Sequence, residues 1–121
     1  MIALLNDEPG AGVVEATVDG ERTVASWINL GEAIYNLGRE EHLEEAISSV
    51  VVLAASLETE DADESLVIAA ARLKATERLS YADAFAVATA ERHSARLLTG
   101  DPEIISLDRR GLELVDLRSE T

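Results

Sequence analysis

The sequence predicts an α/β fold built on a parallel sheet, and three observations lead there. Short apolar or β-branched runs alternate along the chain with amphipathic segments of helical period, the pattern of strands joined by crossover helices. One helix-length stretch, residues 82–90, carries only two polar side chains, Asp83 and Thr89, and a helix that is apolar on every side belongs inside a domain. Hydrophobic residues make up 47% of 121, enough apolar surface for one core, so residues 1–121 are expected to form a single domain.

The elements follow in order. Residues 1–5 are apolar and run into the breaker cluster Asn6-Asp7-Glu8-Pro9-Gly10, so they read as the last turn of a helix. Residues 12–18 fit a second short helix. Residues 21–26 read as a strand, and the helix after them has an apolar stripe of Trp27, Leu30, Ile34 and Leu37 and ends at Gly38. Trp27 and Tyr35 are expected in the core, since the 3% aromatic content offers no base-stacking platform. Residues 40–48 add a turn or two of helix, and the run Val50-Val51-Val52-Leu53-Ala54 fits a buried strand. Residues 61–76 form an amphipathic helix with Leu66, Ala69, Ala70 and Leu73 on its apolar side, and Ser80 opens the next helix. Arg96-Leu97-Leu98-Thr99 is a strand ending at Gly100-Asp101-Pro102, and residues 112–117 form the last one. The predicted order is helix, strand, helix, strand, helix, helix, strand, strand, without the strand that should feed the first helix.

Composition narrows the function classes. Twenty-four Asp and Glu against ten Lys and Arg give a formal charge of -14, which excludes a basic nucleic-acid-binding surface of the usual kind. The absence of cysteine removes disulfides, thiol nucleophiles and thiolate zinc sites, and two isolated histidines, His42 and His93, do not make a histidine metal site or a Ser-His-Asp arrangement. Any bound metal should be hard and oxygen-ligated. No membrane-length apolar stretch or cleavable leader is present in the sequence, so a cytoplasmic protein without membrane contact is expected. Nine of the ten bases are Arg, which suggests a high-salt cytoplasm; an acidic protein with a basic partner is the alternative. Phosphate-loop and dinucleotide fingerprints are missing, since Gly10-Ala11-Gly12 lacks the third glycine and the preceding strand.

Most acids, including Glu40, Glu41, Glu44, Glu45, Glu58, Glu60, Asp61, Asp63 and Glu64, are expected to be solvated on helix faces and loops. Glu32, Asp83 and Asp101 differ because each stands at a junction beside residues that should be buried. Local structure offers a plain account of each. Asn29-x-x-Glu32 and Ser80-x-x-Asp83 match capping boxes, and Asp101 before Pro102 fits a turn. The functional account is that all three gather at the carboxyl ends of parallel strands, where α/β folds bind ligands. Three carboxylates in one cleft repel unless a cation sits among them, and magnesium or manganese accepts such oxygen donors. A metal there lowers the pKa of a bound water and shields phosphate charge, the requirements of phosphodiester hydrolysis.

Several strings resemble PIN-domain ribonucleases, specifically VapC-type toxins of VapBC toxin-antitoxin pairs: Leu4-Leu5-Asn6-Asp7-Glu8-Pro9-Gly10, Ala25-Ser26 through Asn29-Leu30-Gly31-Glu32, Leu79-Ser80-Tyr81-Ala82-Asp83-Ala84-Phe85 and Leu97-Leu98-Thr99-Gly100-Asp101. The resemblance covers nearly the whole chain. It implies a three-layer sandwich with a central parallel sheet flanked by helices, and a ribonuclease using Mg2+ or Mn2+. Glu32, Asp83 and Asp101 become the metal-binding catalytic acids and Thr99 a supporting hydroxyl. It also implies a VapB-like antitoxin lying across the acidic groove, an RNA substrate and a homodimer. Arg92, Arg96, Arg109 and Arg110 are then the bases expected near the mouth, where the repulsion of RNA by a -14 chain is screened over about 8 Å at physiological ionic strength and about 3 Å at 1 M salt.

One departure stands out. The family begins with a strand ending in an aspartate, and Met1 falls after the place where that residue would be, so the chain reads as N-terminally shortened. Asp7 lies in the breaker cluster at the far end of the helix and does not take its place. A non-catalytic module that keeps the antitoxin groove is therefore the alternative to a nuclease toxin.

Overall fold

Five short strands, all running the same way, form the centre of the protein. The structure, a computed structural model, describes residues 2–4, 22–40, 42–99, 107 and 112–116. Strands β1 (Ile2–Leu4), β2 (Thr23–Ser26), β3 (Glu58–Glu60), β4 (Arg96–Thr99) and β5 (Glu113–Asp116) lie in the order β3-β2-β1-β4-β5, and each adjacent pair is parallel. Helices α1 (Trp27–Glu40), α2 (Leu43–Ala54), α3 (Glu64–Thr76) and α4 (Tyr81–His93) make the crossovers. The passage from β3 to β4 crosses over β2 and β1, so the winding direction reverses at β1. The crevice at the carboxyl ends of the strands beside that reversal is where open α/β sheets place ligands.

Parallel sheets must be covered on both faces, and adjacent residues of β2 show how. Val24 packs with Leu66, Leu73, Phe85, Val87 and Leu97 in the larger cluster, formed with α3 and α4. Ala25, pointing the other way, packs with Leu30, Val50 and Ala54 of α1 and α2. Three layers result, as the family resemblance implies. Helix α4 is the buried one: residues 84–90 are all inaccessible, in keeping with their apolar sequence. No described helix is long and apolar enough to cross a membrane.

Several local assignments change. Residues 2–4 are not the end of a helix but the central strand, paired with β2 on one side and β4 on the other. A run of five apolar residues has no resolvable period, and here the sheet decides. The sheet position expected to be lost is therefore occupied. The segment 50–54 is the second half of α2, which buries Ala46, Val50 and Ala54 at helical spacing. Val-Val-Val-Leu-Ala satisfies strand composition as well as one buried helix stripe, and only packing separates the two. The strand in that part of the chain is instead Glu58-Thr59-Glu60, a polar edge strand beside β2.

Helix α1 runs past Gly38, where a Cβ would stand 3.0 Å from Leu43 Cδ1, so this glycine allows the close approach of α2 rather than ending α1. Trp27 and Tyr35 are exposed, at 38% and 63%, because the face buried by α1 is that of Leu30, with Ile34 and Leu37 partly covered. The helix expected at residues 12–18 lies outside the described residues.

Helix α4 ends on Ser94, whose φ of 51° is left-handed. The Ser94 N–H donates to Glu91 O at 3.3 Å and the Ala95 N–H to Ala90 O at 2.8 Å, closing the helix end. A side chain in this conformation costs about 1–2 kcal/mol, against about 0.5–1 kcal/mol of extra backbone entropy that glycine loses on folding. Ser94→Gly is expected to stabilise the protein by about 0.5–1 kcal/mol, seen as a midpoint a few degrees higher in thermal unfolding followed by circular dichroism.

Candidate functional site

Strand β2 passes into α1 with no residue between them, so Ser26 ends one element and caps the next. Its buried Oγ accepts the Asn29 N–H at 3.1 Å and donates to Asn29 Oδ1 at 2.7 Å, satisfying an amide that the helix start leaves unpaired. The cap is thus Ser26, three residues before the Asn29-x-x-Glu32 pattern suggested. Glu32 lies one turn further along α1, beyond the capping position. Asn29 Nδ2 donates to the carbonyl of Ala82 at 2.8 Å, joining the first turn of α1 to the first turn of α4.

Asp83 follows Ala82 directly. It is half-buried, and its N–H donates to Ser80 Oγ at 3.1 Å. The Ser80 cap expected from the sequence therefore forms, and it puts Asp83 in the first turn of α4, where the helix dipole favours negative charge. Thr99 ends β4 opposite Asp116 of β5, at the carboxyl edge of the sheet. Asp101 lies outside the described residues.

Burial raises the Glu32 carboxyl above the usual glutamate range, and no donor or cation among the described residues brings it down again. Its ionised form is disfavoured where it stands. Glu32 and Asp83 offer only oxygen, which suits a hard divalent ion, and a double positive charge would offset the desolvation that disfavours ionised Glu32. Among the described residues no group of three or more acids or histidines is disposed to hold a metal, so the donor set has three members only with Asp101.

A second charged cluster was not anticipated. Arg92 donates through Nη1 and Nη2 to the two carboxylate oxygens of Asp63, both at 3.0 Å, and also to Glu60 and to Ser65 Oγ. His93 Nε2 lies 2.8 Å from Glu60 Oε2, and Asp63 caps α3 by accepting the Leu66 N–H at 2.9 Å. The Arg92 bonds, followed by the Leu66 amide, hold the Asp63 carboxyl well below the carboxylate range. Burial pushes Glu60 up, and its bonds to Arg92 and His93 more than reverse this. The Arg92 guanidinium is held in its charged form.

Glu60, Asp63 and Glu58, the last paired with Arg22, are therefore bonded rather than merely solvated. Arg92 is committed to this cluster. Arg96 begins β4, at the edge of the sheet opposite Thr99, while Arg109 and Arg110 lie outside the described residues. The available sequence signals were an acid in the cap position before α3 and the Arg-His pair in the last turn of α4. Likewise, Ser26 and Asn29 are polar residues at the seam between an apolar strand and an apolar helix stripe.

The sign of the pH effect follows. Glu60 and Asp63 have lowered pKa values in the folded chain, so their stabilisation is complete above the unfolded carboxylate range and is lost progressively as the pH falls from that range through the lowered values. Arg92→Ala is expected to lower the unfolding midpoint at pH 7. The gap from wild type should shrink steadily from about pH 5 to pH 3, as thermal melts across that range would record.

No curated protein matches the chain. Solved structures do. The VapBC2 complex of Rickettsia felis bound to a DNA fragment from its promoter contains a chain with a TM-score of 0.66 and 18% identity, over 95% of this chain and 98% of that one. The DNA-bound VapBC of Salmonella typhimurium gives 0.69 at 18% identity, covering 96% of both chains. VapBC-1 of nontypeable Haemophilus influenzae gives 0.62 at 19%, over 98% and 99%. At these identities the likeness is one of fold. The family model described as the PIN domain matches residues 1–110, and with nine-tenths of its length so matched this chain belongs to the PIN domain family.

Proposed function

We propose that the protein is a divalent-metal-dependent endoribonuclease toxin of the VapC type, residues 1–121 acting as one domain. PIN domains are generally nucleases. The observation that carries the finer assignment is Glu32: a half-buried carboxylate with a raised pKa, one turn beyond a hydrogen bond that ties its helix to the residue before Asp83. Glu32, Asp83 and Asp101 would hold a Mg2+ or Mn2+ ion, which when bound supplies an activated water and charge shielding for hydrolysis of an RNA phosphodiester. Asp83 stands in the first turn of α4, where the helix dipole favours negative charge. Burial makes Glu32 hold a proton to higher pH than an ordinary glutamate. Thr99, the last residue of β4, is the proposed supporting hydroxyl.

A VapB-like antitoxin is the proposed partner, and a homodimer the proposed assembly. Helices α1 and α2 support a docking role by exposing Trp27, Ile28, Tyr35, Leu43, Val51 and Val52. Exposed apolar side chains of this size suit an interaction surface, and a basic antitoxin segment would complement the charge of -14. A module that binds an antitoxin without cleaving RNA is the second reading.

Two measurements separate these. Purified protein with Mn2+ is expected to cleave RNA, and Glu32→Gln, Asp83→Asn and Asp101→Asn should each lower kcat/KM by about 100-fold or more, about 2.7 kcal/mol of transition-state stabilisation. Absence of cleavage by wild type, with antitoxin binding retained, would favour the module. Because the Glu32 pKa is raised, its ionised form opposes folding at neutral pH, and any stabilisation from its protonated form is lost as pH rises through that value. Glu32→Gln is therefore expected to melt at a slightly higher temperature than wild type at pH 7 without metal, the gain disappearing below about pH 4.

A further inference from the structure

We propose that Asn29 is a positioning residue for the acidic site: its side chain fixes the first turn of α1 against the first turn of α4 and so sets the separation of Glu32 from Asp83. The inference rests on the reading that these two carboxylates share one cation.

Proton accounting leaves the amide one orientation. Ser26 Oγ already accepts the Asn29 N–H at 3.1 Å, so its single proton goes to Asn29 Oδ1 at 2.7 Å. The Asn29 NH2 group is then directed to Ala82 O, which can only accept, at 2.8 Å. Ser26 is fully inaccessible and Asn29 is 3% exposed, so water does not replace a lost partner. Removing one side of a buried hydrogen bond costs the desolvation of the group left behind.

A helix cap alone does not require this arrangement. Ser26 Oγ meets the α1 amide by itself, and the bond to Ala82 adds nothing to the start of α1. What it adds is a link between residues 53 positions apart in sequence, one residue from Asp83 and one helical turn from Glu32. Two carboxylates facing one crevice repel each other before a cation arrives, and that repulsion acts to separate the helix starts that carry them. A rigid cross-link at their base opposes the separation, so that the donors are already spaced when the ion binds.

The test has one arm that needs no metal. The chain has no cysteine, so spin labels can be attached to Tyr35→Cys and Tyr81→Cys, both at exposed positions, and the distance between them measured by pulsed electron paramagnetic resonance. Asn29→Ala is expected to lengthen or broaden that distance. Leu73→Ala, which truncates a buried residue of α3, should lower stability without changing it. Asn29→Asp, nearly isosteric and lacking the donor to Ala82, should act as Asn29→Ala does and serves if the alanine variant fails to fold.

In the second arm free Mn2+ is titrated into each unlabelled protein. Asn29→Ala is expected to weaken Mn2+ binding about tenfold with Leu73→Ala unchanged, and the Ser26→Ala, Asn29→Ala double variant should lose no more than the larger single loss, since the two side chains act as one unit. A label distance unaffected by either Asn29 variant would overturn the proposal, as would wild-type Mn2+ affinity in Asn29→Ala. If wild type holds no Mn2+ while the Asn29 variants still shift the distance, the shared-cation reading fails and the positioning role stands.

Discussion

Everything in this fold is arranged around the burial of α4. A parallel sheet of three- and four-residue strands has little cohesion of its own, and its faces are stable only when helices cover them. Residues 84–90 of α4 are buried without interruption, touching the sheet beneath and α1 and α3 beside it. Five of those seven residues are Ala or Val, with Phe85 and Thr89 the exceptions. Small side chains let α4 lie close to the sheet, and its two acids, Asp83 and Glu91, fall on either side of the buried stretch. Asp83 stands in the first turn, next to the carbonyl that Asn29 grips.

Two clusters of charge show what an acidic chain does with its carboxylates. At the junction of β3, α3 and α4, Glu60 and Asp63 are neutralised by Arg92 and His93, and their proton affinity falls. On α1, Glu32 is partly desolvated without such partners among the described residues, and its proton affinity rises. The first arrangement uses the charge for cohesion. The second carries a carboxylate whose ionised form burial disfavours.

Much of this was legible in the letters, for physical reasons that can be named. Helix α4 announced its burial by lacking polar residues, and its start by Ser80, whose oxygen meets the Asp83 amide. Strand β4 was readable as Arg-Leu-Leu-Thr before a glycine, and the helix over Glu64–Thr76 by its apolar spacing. Residues 2–4 and 50–54 were misassigned because apolar runs of about five residues fit a strand and a helix stripe equally well. The exposed strand Glu58-Thr59-Glu60 carries no hydrophobic signal, since its place comes from the open edge of β2. The Asn29-x-x-Glu32 pattern misleads because Ser26 both ends β2 and caps α1.

Sequence by itself determined the class of fold, the buried helix and its Ser80 cap, because those depend on residues within a turn or two of one another. Only the tertiary structure decided that a three-residue apolar start becomes the middle strand, that Arg92 binds Asp63 across 29 positions, and that Asn29 reaches Ala82 across 53. Such choices are made by hydrogen-bonding groups and charges that must find partners once they leave water, and the chain brings those partners within reach only by folding.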